Sequence, residues 1–179
     1  MAVKPEQVVR DHAPTVAKQL RRIFGPTADI DDVFQAVFVE IIRSLDGFEG
    51  KSKLKTWIHR ITLNVAYQEM RMQYREREAR SLADIDLIAV GGDHEGRYDH
   101  DESRRMLYRG LQQLDPKKRL AVVLHDIEGY TLKEVGEAVG RPLQTIASQV
   151  RTGRAELAAW FEQQNRGPSN DVRTTEVQA

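Results

Sequence analysis

Residues 131–161 combine capping residues, glycines and apolar spacing in a pattern that few folds accommodate. Thr131 is suited to begin a helix, and Glu134 three residues later completes a capping box, in which two residues satisfy each other's free backbone N–H groups. Gly140 can take the left-handed conformation that ends a helix, and Arg141-Pro142 then forms a turn. This order is typical of a helix-turn-helix, although helix pairs that bind no DNA also have it.

The second helix of a helix-turn-helix enters the major groove of DNA with its N-terminal half. Since Ile146, Val150 and Leu157 take the inward positions, the outward positions are small or polar. Gln144 can pair with an adenine edge, and Arg151 can reach a guanine or a phosphate. The candidate duplex-contacting residues are Arg141, Gln144, Thr145, Ala147, Ser148, Arg151, Thr152 and Arg154.

The first half of the chain is also helical in pattern. Residues 31–45 have apolar side chains at spacings of three and four, with Asp29 and Asp31 placed to cap the first N–H groups. The stripe consists of Val33, Phe34, Val37, Phe38, Ile41, Ile42 and Leu45. A weaker pattern covers 6–24, where Pro14 can divide the segment into two shorter helices.

A basic and aromatic helix is predicted over about residues 53–75, with Ser52 as its cap. Its apolar face holds Leu54, Trp57, Ile58, Ile61 and Val65, and its polar face holds Lys55, Thr56, Arg60, Asn64, Gln68 and Arg71. Cations bind phosphates, amides bind base edges and rings stack on bases, so this surface suits nucleic acid. The alternative is a solvated face with Trp57 in the core. Phe48 lies in the preceding loop between two glycines.

The formal net charge is zero, yet the charges form blocks. Residues 28–49 hold six carboxylates against one arginine, residues 51–80 hold eight cations against three carboxylates, and residues 84–102 hold seven carboxylates against one arginine. Such blocks indicate either a basic face for phosphates with acidic faces for basic partners, or ordinary solvated helix faces.

These patterns predict an all-α protein of two small helical domains joined by a flexible acidic linker. The expected boundaries are residues 1–80 for the first domain, 81–102 for the linker, 103–162 for the second domain and 163–179 for a disordered tail. No apolar run approaches the ~20 residues of a membrane span, and the N-terminus lacks the apolar core of a signal peptide. A cytoplasmic protein is therefore expected.

The sequence resembles an extracytoplasmic-function (ECF, group IV) bacterial RNA polymerase sigma factor over about residues 6–161. Residues 29–75 are similar to sigma region 2: an acidic pair before Gln-x-x-Phe, a loop with a phenylalanine, then Trp, Asn and an arginine-rich end. Residues 111–157 are similar to region 4, and no region 3 or region 1.1 accompanies them. The recognition helix departs from the frequent Gly-Thr-Val-Lys-Ser-Arg, because residues 144–149 are Gln-Thr-Ile-Ala-Ser-Gln and lack both cations. Weaker phosphate anchoring and a different −35 preference are expected.

The resemblance implies a factor that binds core RNA polymerase and directs promoter recognition, −10 melting and transcription initiation, with no enzymatic activity, cofactor or metal. It places the polymerase β′ clamp helices on Asp32, Gln35 and Phe38, with Asp32 and Gln35 outward. It places the −10 element on Phe48, Lys51, Lys53, Thr56, Trp57, Arg60, Asn64 and Arg71. It assigns the −35 element to the helix-turn-helix, and the β flap tip to the helices before it. It also implies that the linker threads into the polymerase channels and that an anti-sigma factor is a partner.

Two other classes of function compete with this interpretation. A stand-alone helix-turn-helix regulator would use the first domain for sensing or dimerisation, but the basic-aromatic helix argues against that use. A metal enzyme would need the cluster Asp93, His94, Asp99, His100 and Asp101, which has suitable ligands but no regular spacing. The absence of cysteine excludes a disulfide scaffold, a cysteine-ligated metal site and a thiol nucleophile.

Overall fold

The computed structural model describes residues 4–83 and 99–165, and every regular element within these two ranges is helical. The first range contains α1 (Pro5–Phe24), α2 (Asp31–Ser44) with a 3-10 turn after it (Leu45–Gly47), and α3 (Leu54–Ala83). The second contains α4 (Asp99–Gln113), α5 (Pro116–Val122) with a π-helical turn after it (Val123–Ile127), α6 (Leu132–Val139) and α7 (Leu143–Asn165). The all-α prediction is confirmed.

Helix α1 is continuous, so the break considered at Pro14 is wrong. Proline removes one backbone hydrogen bond from a helix interior. The helix nevertheless continues, because Val8 before Pro14 and Val16 and Leu20 after it are buried in the same core. It ends at Gly25, whose φ of 118° is unfavourable for other residues and whose N–H donates to the Arg21 carbonyl at 2.9 Å.

The starts of α2 and α3 differ from each other. Asp29 accepts a hydrogen bond from the Asp31 N–H at 3.1 Å, as expected of a residue at a helix start. Ser52 is not the cap of α3, because its hydroxyl lies 3.5 Å from the Lys53 carbonyl and donates to it, while the helix begins at Leu54. The helix also continues past residue 75 to Ala83.

The buried stripe of α3 is rotated from the predicted one. Ile58 is buried as expected, but Trp57, Ile61 and Val65 are only half-buried. The other buried side chains of α3 are Thr62, Leu63, Ala66 and Met70. The cause is that α3 packs against α1 and α2 and also against α5 and α6. As a result, the buried apolar side chains of the two halves form one cluster.

The second half follows its sequence signals closely. Asp115 accepts from the Lys117 N–H at 2.8 Å and caps α5. The Thr131 hydroxyl accepts from the Glu134 N–H at 3.2 Å while the Glu134 carboxylate accepts from the Thr131 N–H at 2.9 Å, which completes the capping box. Gly140 ends α6 with a φ of 67°. A Cβ on Gly136 would lie 2.7 Å from the Arg141 carbonyl oxygen, so the turn passes directly over this glycine.

The predicted linker and tail lie mostly outside the described residues. Helices α3 and α4 extend into the two ends of the range 81–102, and residues 84–98 are not described. Of the cluster considered as a metal site, Asp93 and His94 fall in that gap, and only the backbone of residues 99–101 is described. Helix α7 runs to Asn165, past the expected start of the tail at residue 163. None of the helices in the described ranges is both long and apolar enough to cross a membrane.

Candidate nucleic-acid interface

One face of α3 presents the polar side chains singled out from the sequence. Thr56, Arg60, Asn64 and Arg71 are exposed along it, and Lys53 is exposed just before its start. Successive members lie three to seven positions apart, which keeps them on one side of an α-helix. The face therefore offers guanidinium, amide and hydroxyl groups in a row, a set that suits a phosphate backbone and its bases.

An aromatic pair lies at the start of this face. The rings of Phe48 and Trp57 have their centroids 5.1 Å apart and are tilted by 46°, and both side chains are half-buried. Gly50, with a φ of 69°, allows the loop to turn back towards α3. Lys51, on the same loop, forms an ion pair with Glu49. The loop thus places the Phe48 ring against Trp57, at the start of the polar face of α3.

Helix α7 presents a second polar face. Ile146, Val150 and Gly153 are buried, whereas Leu157, also predicted inward, is half-buried. Gln144, Ser148 and Arg151 are exposed, and Thr145, Ala147 and Thr152 are half-buried around them. The N-terminal half of α7 therefore has a side that a duplex can approach, with an amide and a guanidinium available for base edges.

The two other arginines of the predicted duplex-contacting set have different surroundings. Arg154 is held by both oxygens of Asp126, with its Nε 2.9 Å from Oδ2. The hydrogen bonds that Arg154 donates to Asp126, together with the negative charge of that carboxylate, raise the pKa of Arg154. Arg141 is half-buried and lines a cleft against α3. Arg154 is thus exposed but engaged by Asp126, and Arg141 lies against α3, whereas Arg151 is exposed and takes part in neither contact.

The residues predicted to contact polymerase on α2 fall into two groups. Asp32 and Gln35 are exposed, as expected, but Phe38 is 7% exposed and packs on Phe34 at a centroid distance of 5.0 Å. Phe38 is therefore a core residue, and its side chain offers no contact surface in this conformation.

Two apolar side chains of α2 are exposed although the sequence analysis did not predict it. Val39 was not singled out and Ile42 was placed in the buried stripe, yet they are 56% and 46% exposed. Their spacing from Gln35, four and seven positions, was the signal that could have placed them on its face.

The polar face of α3 and the helix-turn-helix lie against each other. Arg60 donates from Nη2 to the Glu137 carbonyl of α6 at 2.9 Å. Beside this bond is a cavity of about 230 Å³ between α3, α5, α6 and α7. Its polar lining comes from Asn64, Gln68, Lys117, Arg141 and Gln149. The two predicted nucleic-acid surfaces therefore meet along one cleft.

Comparisons with known proteins agree with this arrangement. The family model of sigma-70 region 2 matches residues 8–76, and that of sigma-70 region 4 matches residues 104–157. The chain is 31% identical over 153 residues to the ECF RNA polymerase sigma factor SigE of Mycolicibacterium smegmatis, a match that spans 85% of this chain and 59% of that relative. It is 28% identical over 145 residues to the ECF RNA polymerase sigma-E factor of Escherichia coli, a match that spans 75% of this chain and 74% of that protein.

Two solved structures share the fold. CnrH in complex with the cytosolic domain of CnrY superposes with a TM-score of 0.54 at 24% identity, over 89% of this chain and 88% of that one. The sigma factor RpoE of Bartonella quintana, in complex with the anti-sigma factor NepR, superposes with a TM-score of 0.55 at 22% identity, over 88% of this chain and 96% of that one. With both family models matched in the expected order, the chain belongs to the ECF family of RNA polymerase sigma factors.

Proposed function

We propose that the chain binds core RNA polymerase and directs it to promoters, where it recognises two elements and opens the −10 element. The observation that carries this proposal is that one chain presents two surfaces suited to DNA, one on each half of the protein. One is the polar face of α3 with the Phe48–Trp57 pair, and the other is the exposed side of α7. This role is regulatory, and it requires no reaction at either surface.

The first surface is suited to an opened strand. Extruding a base from the stack costs a few kcal/mol, and contacts between the extruded base and the protein must compensate for this cost. Phe48 and Trp57 supply aromatic faces for that base, while Lys53, Thr56 and Arg60 supply donors for the adjoining backbone. Lys51, Asn64 and Arg71 complete the proposed −10 set. Stacking on aromatic side chains contributes about 1–3 kcal/mol per base, which is sufficient to offset the extrusion.

The second surface is suited to duplex DNA. Gln144 and Arg151 are the proposed base-reading side chains of α7, and Ala147 and Ser148 are small enough to let the helix approach the groove. Thr145 and Thr152 lie at the edges of this surface. Arg154 is paired with Asp126, and Arg141 faces α3. Phosphate anchoring by this set therefore depends either on Arg151 alone or on the release of Arg141 and Arg154 from these contacts. We therefore propose a −35 contact of weak salt dependence.

The outer face of α2 is the proposed site for the polymerase β′ clamp helices. Asp32 and Gln35 give this face polar groups, and Val39 and Ile42 add an exposed apolar pair. A helix of another protein can bury such a stripe along its length. The β flap tip is assigned to the second domain by resemblance. An anti-sigma factor is a further proposed partner, because the RpoE structure named above contains one.

The test is a pull-down with core RNA polymerase followed by run-off transcription on a library of random promoter templates. We expect stable binding and new start sites, with −10 and −35 preferences read from the selected templates. Trp57→Ala is expected to abolish opening of the −10 element while leaving polymerase capture intact, and Gln144→Ala is expected to change only the −35 preference. Failure to bind core polymerase, together with sequence-specific duplex binding by the chain alone, would identify a stand-alone regulator instead.

A further inference from the structure

Two adjoining cavities lie along one side of α3. The first, of about 230 Å³, is the cleft between α3, α5, α6 and α7 described above, and we call it the amide cavity. The second, of about 440 Å³, lies between α3 and the start of α5, and we call it the basic cavity. Tyr67, Lys117 and Arg141 line both, so the two are continuous. Small-molecule sites in proteins occupy ~300–1,000 Å³, a range that the joined cavities fit.

The basic cavity brings together cations that are far apart in the sequence. Its lining includes Arg71, Arg75, Lys117 and Arg141. Within residues 4–83 and 99–165, the side chains of these four form no ion pair and no hydrogen bond. Like charges gathered around one cavity repel one another, so the arrangement is costly for the protein by itself. A ligand with several negative charges removes this cost, and guanidinium and ammonium groups are well suited to bind phosphate oxygens.

The acidic side chains of the basic cavity do not neutralise these cations. Asp115 accepts a hydrogen bond from the backbone N–H of Lys117 at 2.8 Å and is the cap of α5. Glu78 accepts a hydrogen bond from the Tyr74 hydroxyl, and this bond together with burial raises the pKa of Tyr74. Both carboxylates are therefore engaged by other donors, while the four cations around them remain available.

The amide cavity has a different chemistry. Apolar side chains form much of its lining: Leu63, Leu120, Ala121, Val135, Val139 and Ile146. Three amides, those of Asn64, Gln68 and Gln149, also line it. An amide donates and accepts hydrogen bonds, which is what the edge of a nucleobase requires. Tyr67, at the junction of the two cavities, supplies an aromatic ring for stacking. An apolar chamber with amides thus suits a flat ring that has polar edges.

We infer that the two cavities together bind one nucleoside polyphosphate, with its base in the amide cavity and its phosphates in the basic cavity. The sugar then lies at the junction, beside Tyr67, Lys117 and Arg141. A free nucleotide fits this site better than a polynucleotide does, because a strand needs a groove that continues past each base. The amide cavity is instead bounded by four helices, and Arg60 is bonded to the Glu137 carbonyl beside it. The inference concerns the free chain and does not depend on the proposed function.

The first test is isothermal titration calorimetry of the full chain with ATP, GTP, CTP and UTP. Inorganic tripolyphosphate and the four nucleosides are titrated under the same conditions, so that each half of the ligand is also measured alone. We expect at least one nucleotide to bind with one site per chain, about tenfold more tightly than tripolyphosphate or its nucleoside. If no nucleotide binds, or none binds better than tripolyphosphate, the inference is overturned.

The second test separates the two halves of the site with exposed residues that lie outside the proposed DNA-contacting sets. Lys117→Ala removes one phosphate donor, and we expect it to weaken both the nucleotide and tripolyphosphate about five- to tenfold. Lys18→Ala, an exposed lysine on α1, is its control. Both chains should keep the urea-unfolding midpoint of the parent. Equal nucleotide affinities for Lys117→Ala and Lys18→Ala would exclude the basic cavity.

The base half is tested at Gln68. Gln68→Trp fills the amide cavity, and we expect it to lower nucleotide affinity to that of tripolyphosphate while tripolyphosphate binding is unchanged. A general loss of structure would not spare tripolyphosphate in this way. Gln68→Ala adds no bulk and is expected to weaken the nucleotide about three- to tenfold. Gln73→Trp, on the same helix and exposed, is the control. Unchanged nucleotide affinity in both Gln68 variants would exclude the amide cavity.

The third test locates the ligand and identifies its source. An azido derivative of the nucleotide that binds most tightly is crosslinked by light, and we expect the label in peptides that contain residues 63–68 or 135–149. Label confined to other peptides would overturn the inference. A single-stranded oligonucleotide that binds through Lys117 while mononucleotides bind no better than tripolyphosphate would assign the cleft to polynucleotides instead. Nucleotide binding by a chain that captures no polymerase would leave this inference intact and remove the proposed function.

Discussion

Gly136 shows how one residue determines the geometry of the helix-turn-helix. The turn between α6 and α7 passes so close that an added Cβ would lie 2.7 Å from the backbone oxygen of Arg141. Backbone cannot move aside as the end of a flexible side chain can. The angle between the two helices therefore depends on the absence of a side chain at this position.

We expect Gly136→Ala to destabilise the chain by about 1–3 kcal/mol, the usual cost of overpacking. Gly47→Ala is the matched control, because a Cβ there would meet nothing within 4 Å. Urea unfolding of the two variants measures the difference. Equal midpoints for Gly136→Ala and the parent would mean that the turn moves freely.

At the scale of single residues the sequence is informative where the interacting groups are close in the chain. The capping box of Thr131 and Glu134 was predictable because its partners are three residues apart.

Other residues were not predictable, because their surroundings come from distant parts of the chain. Phe38 and Ile42 both belong to the predicted apolar stripe of α2, and only the packing of α2 on α1 and α3 decides that Phe38 is buried and Ile42 exposed. Likewise, nothing local to Arg119 indicates that a cation will be buried against a helix end 96 positions earlier in the sequence. Sequence reasoning identified the polar side chains of the candidate sites but not which of them the protein itself engages.

Helix α2 has two sides with opposite consequences for substitution. Val39→Glu places a charge on an exposed position, so we expect stability within about 0.5 kcal/mol of the parent and loss of polymerase capture. Phe38→Ala removes a buried ring, so we expect a loss of about 3–5 kcal/mol. Urea unfolding combined with the polymerase pull-down separates the two effects. Normal capture by Val39→Glu would exclude this face from the polymerase contact.

Helix α6 is short, and its stability depends on its ends. Its eight residues are too few to form a stable helix in isolation. Thr131→Ala removes the N-cap, and we expect it to lower the free energy of unfolding by about 1 kcal/mol. Thr131→Ser retains an oxygen that can accept the Glu134 N–H and is the control, expected to match the parent. Differential scanning calorimetry of the three chains tests this, and indistinguishable transitions would show that packing alone fixes α6.

The existence of most helices was predictable, but their lengths and buried sides were less so. The amphipathic pattern of α2 was sufficient by itself to predict the helix, and the predicted range of 31–45 is nearly the observed one. The break considered at Pro14 was wrong because the cost of proline inside a helix is outweighed by the burial of apolar side chains on both sides of it. In α3 the pattern predicted one buried side, whereas contact with both halves of the protein rotated the stripe towards Leu63 and Met70.

At the scale of the whole molecule, the burial of His59 between α1 and Tyr130 makes the stability of the fold depend on pH. Burial is the main cause that lowers its pKa, Lys55 lowers it further, and Glu128 acts in the opposite direction. The folded protein therefore favours the neutral imidazole. It has its full stability above the ordinary histidine pKa of 6.5 and loses stability as the pH falls below that value.

We expect the free energy of unfolding in urea to decrease as the pH is lowered from about 8 to about 5.5, a range in which histidine is the side chain that ordinarily titrates. His59→Gln has no charge to gain in this range, so its stability is expected to change less with pH. His12 and His59 line one cavity together, so His12→Gln is the second control. An unchanged slope in the His59→Gln chain would assign the pH dependence to other groups.

The contacts between the two halves could not be predicted from the sequence at all. The patterns indicated two domains and a boundary between them, and the charge blocks indicated either faces for different partners or solvated helix faces. The observed contacts depend instead on carbonyl groups at the end of α1, on Tyr108 and on one buried arginine. Backbone carbonyls are present in every sequence, so no residue pattern marks them as a binding site.

The close packing of α7 has a consequence for promoter architecture. A Cβ on Gly153 would lie 2.8 Å from Val122, and one on Gly110 would lie 2.6 Å from Leu157, so α7 is fixed against both α4 and α5. The helix proposed to face the duplex therefore cannot tilt independently of its own domain. When the distance between the two promoter elements changes by a base pair, we expect the whole second domain to translate by ~3.4 Å and rotate with the duplex. Tolerance of spacer length is thus expected to depend on movement of the second domain as a unit and not on a tilt of α7.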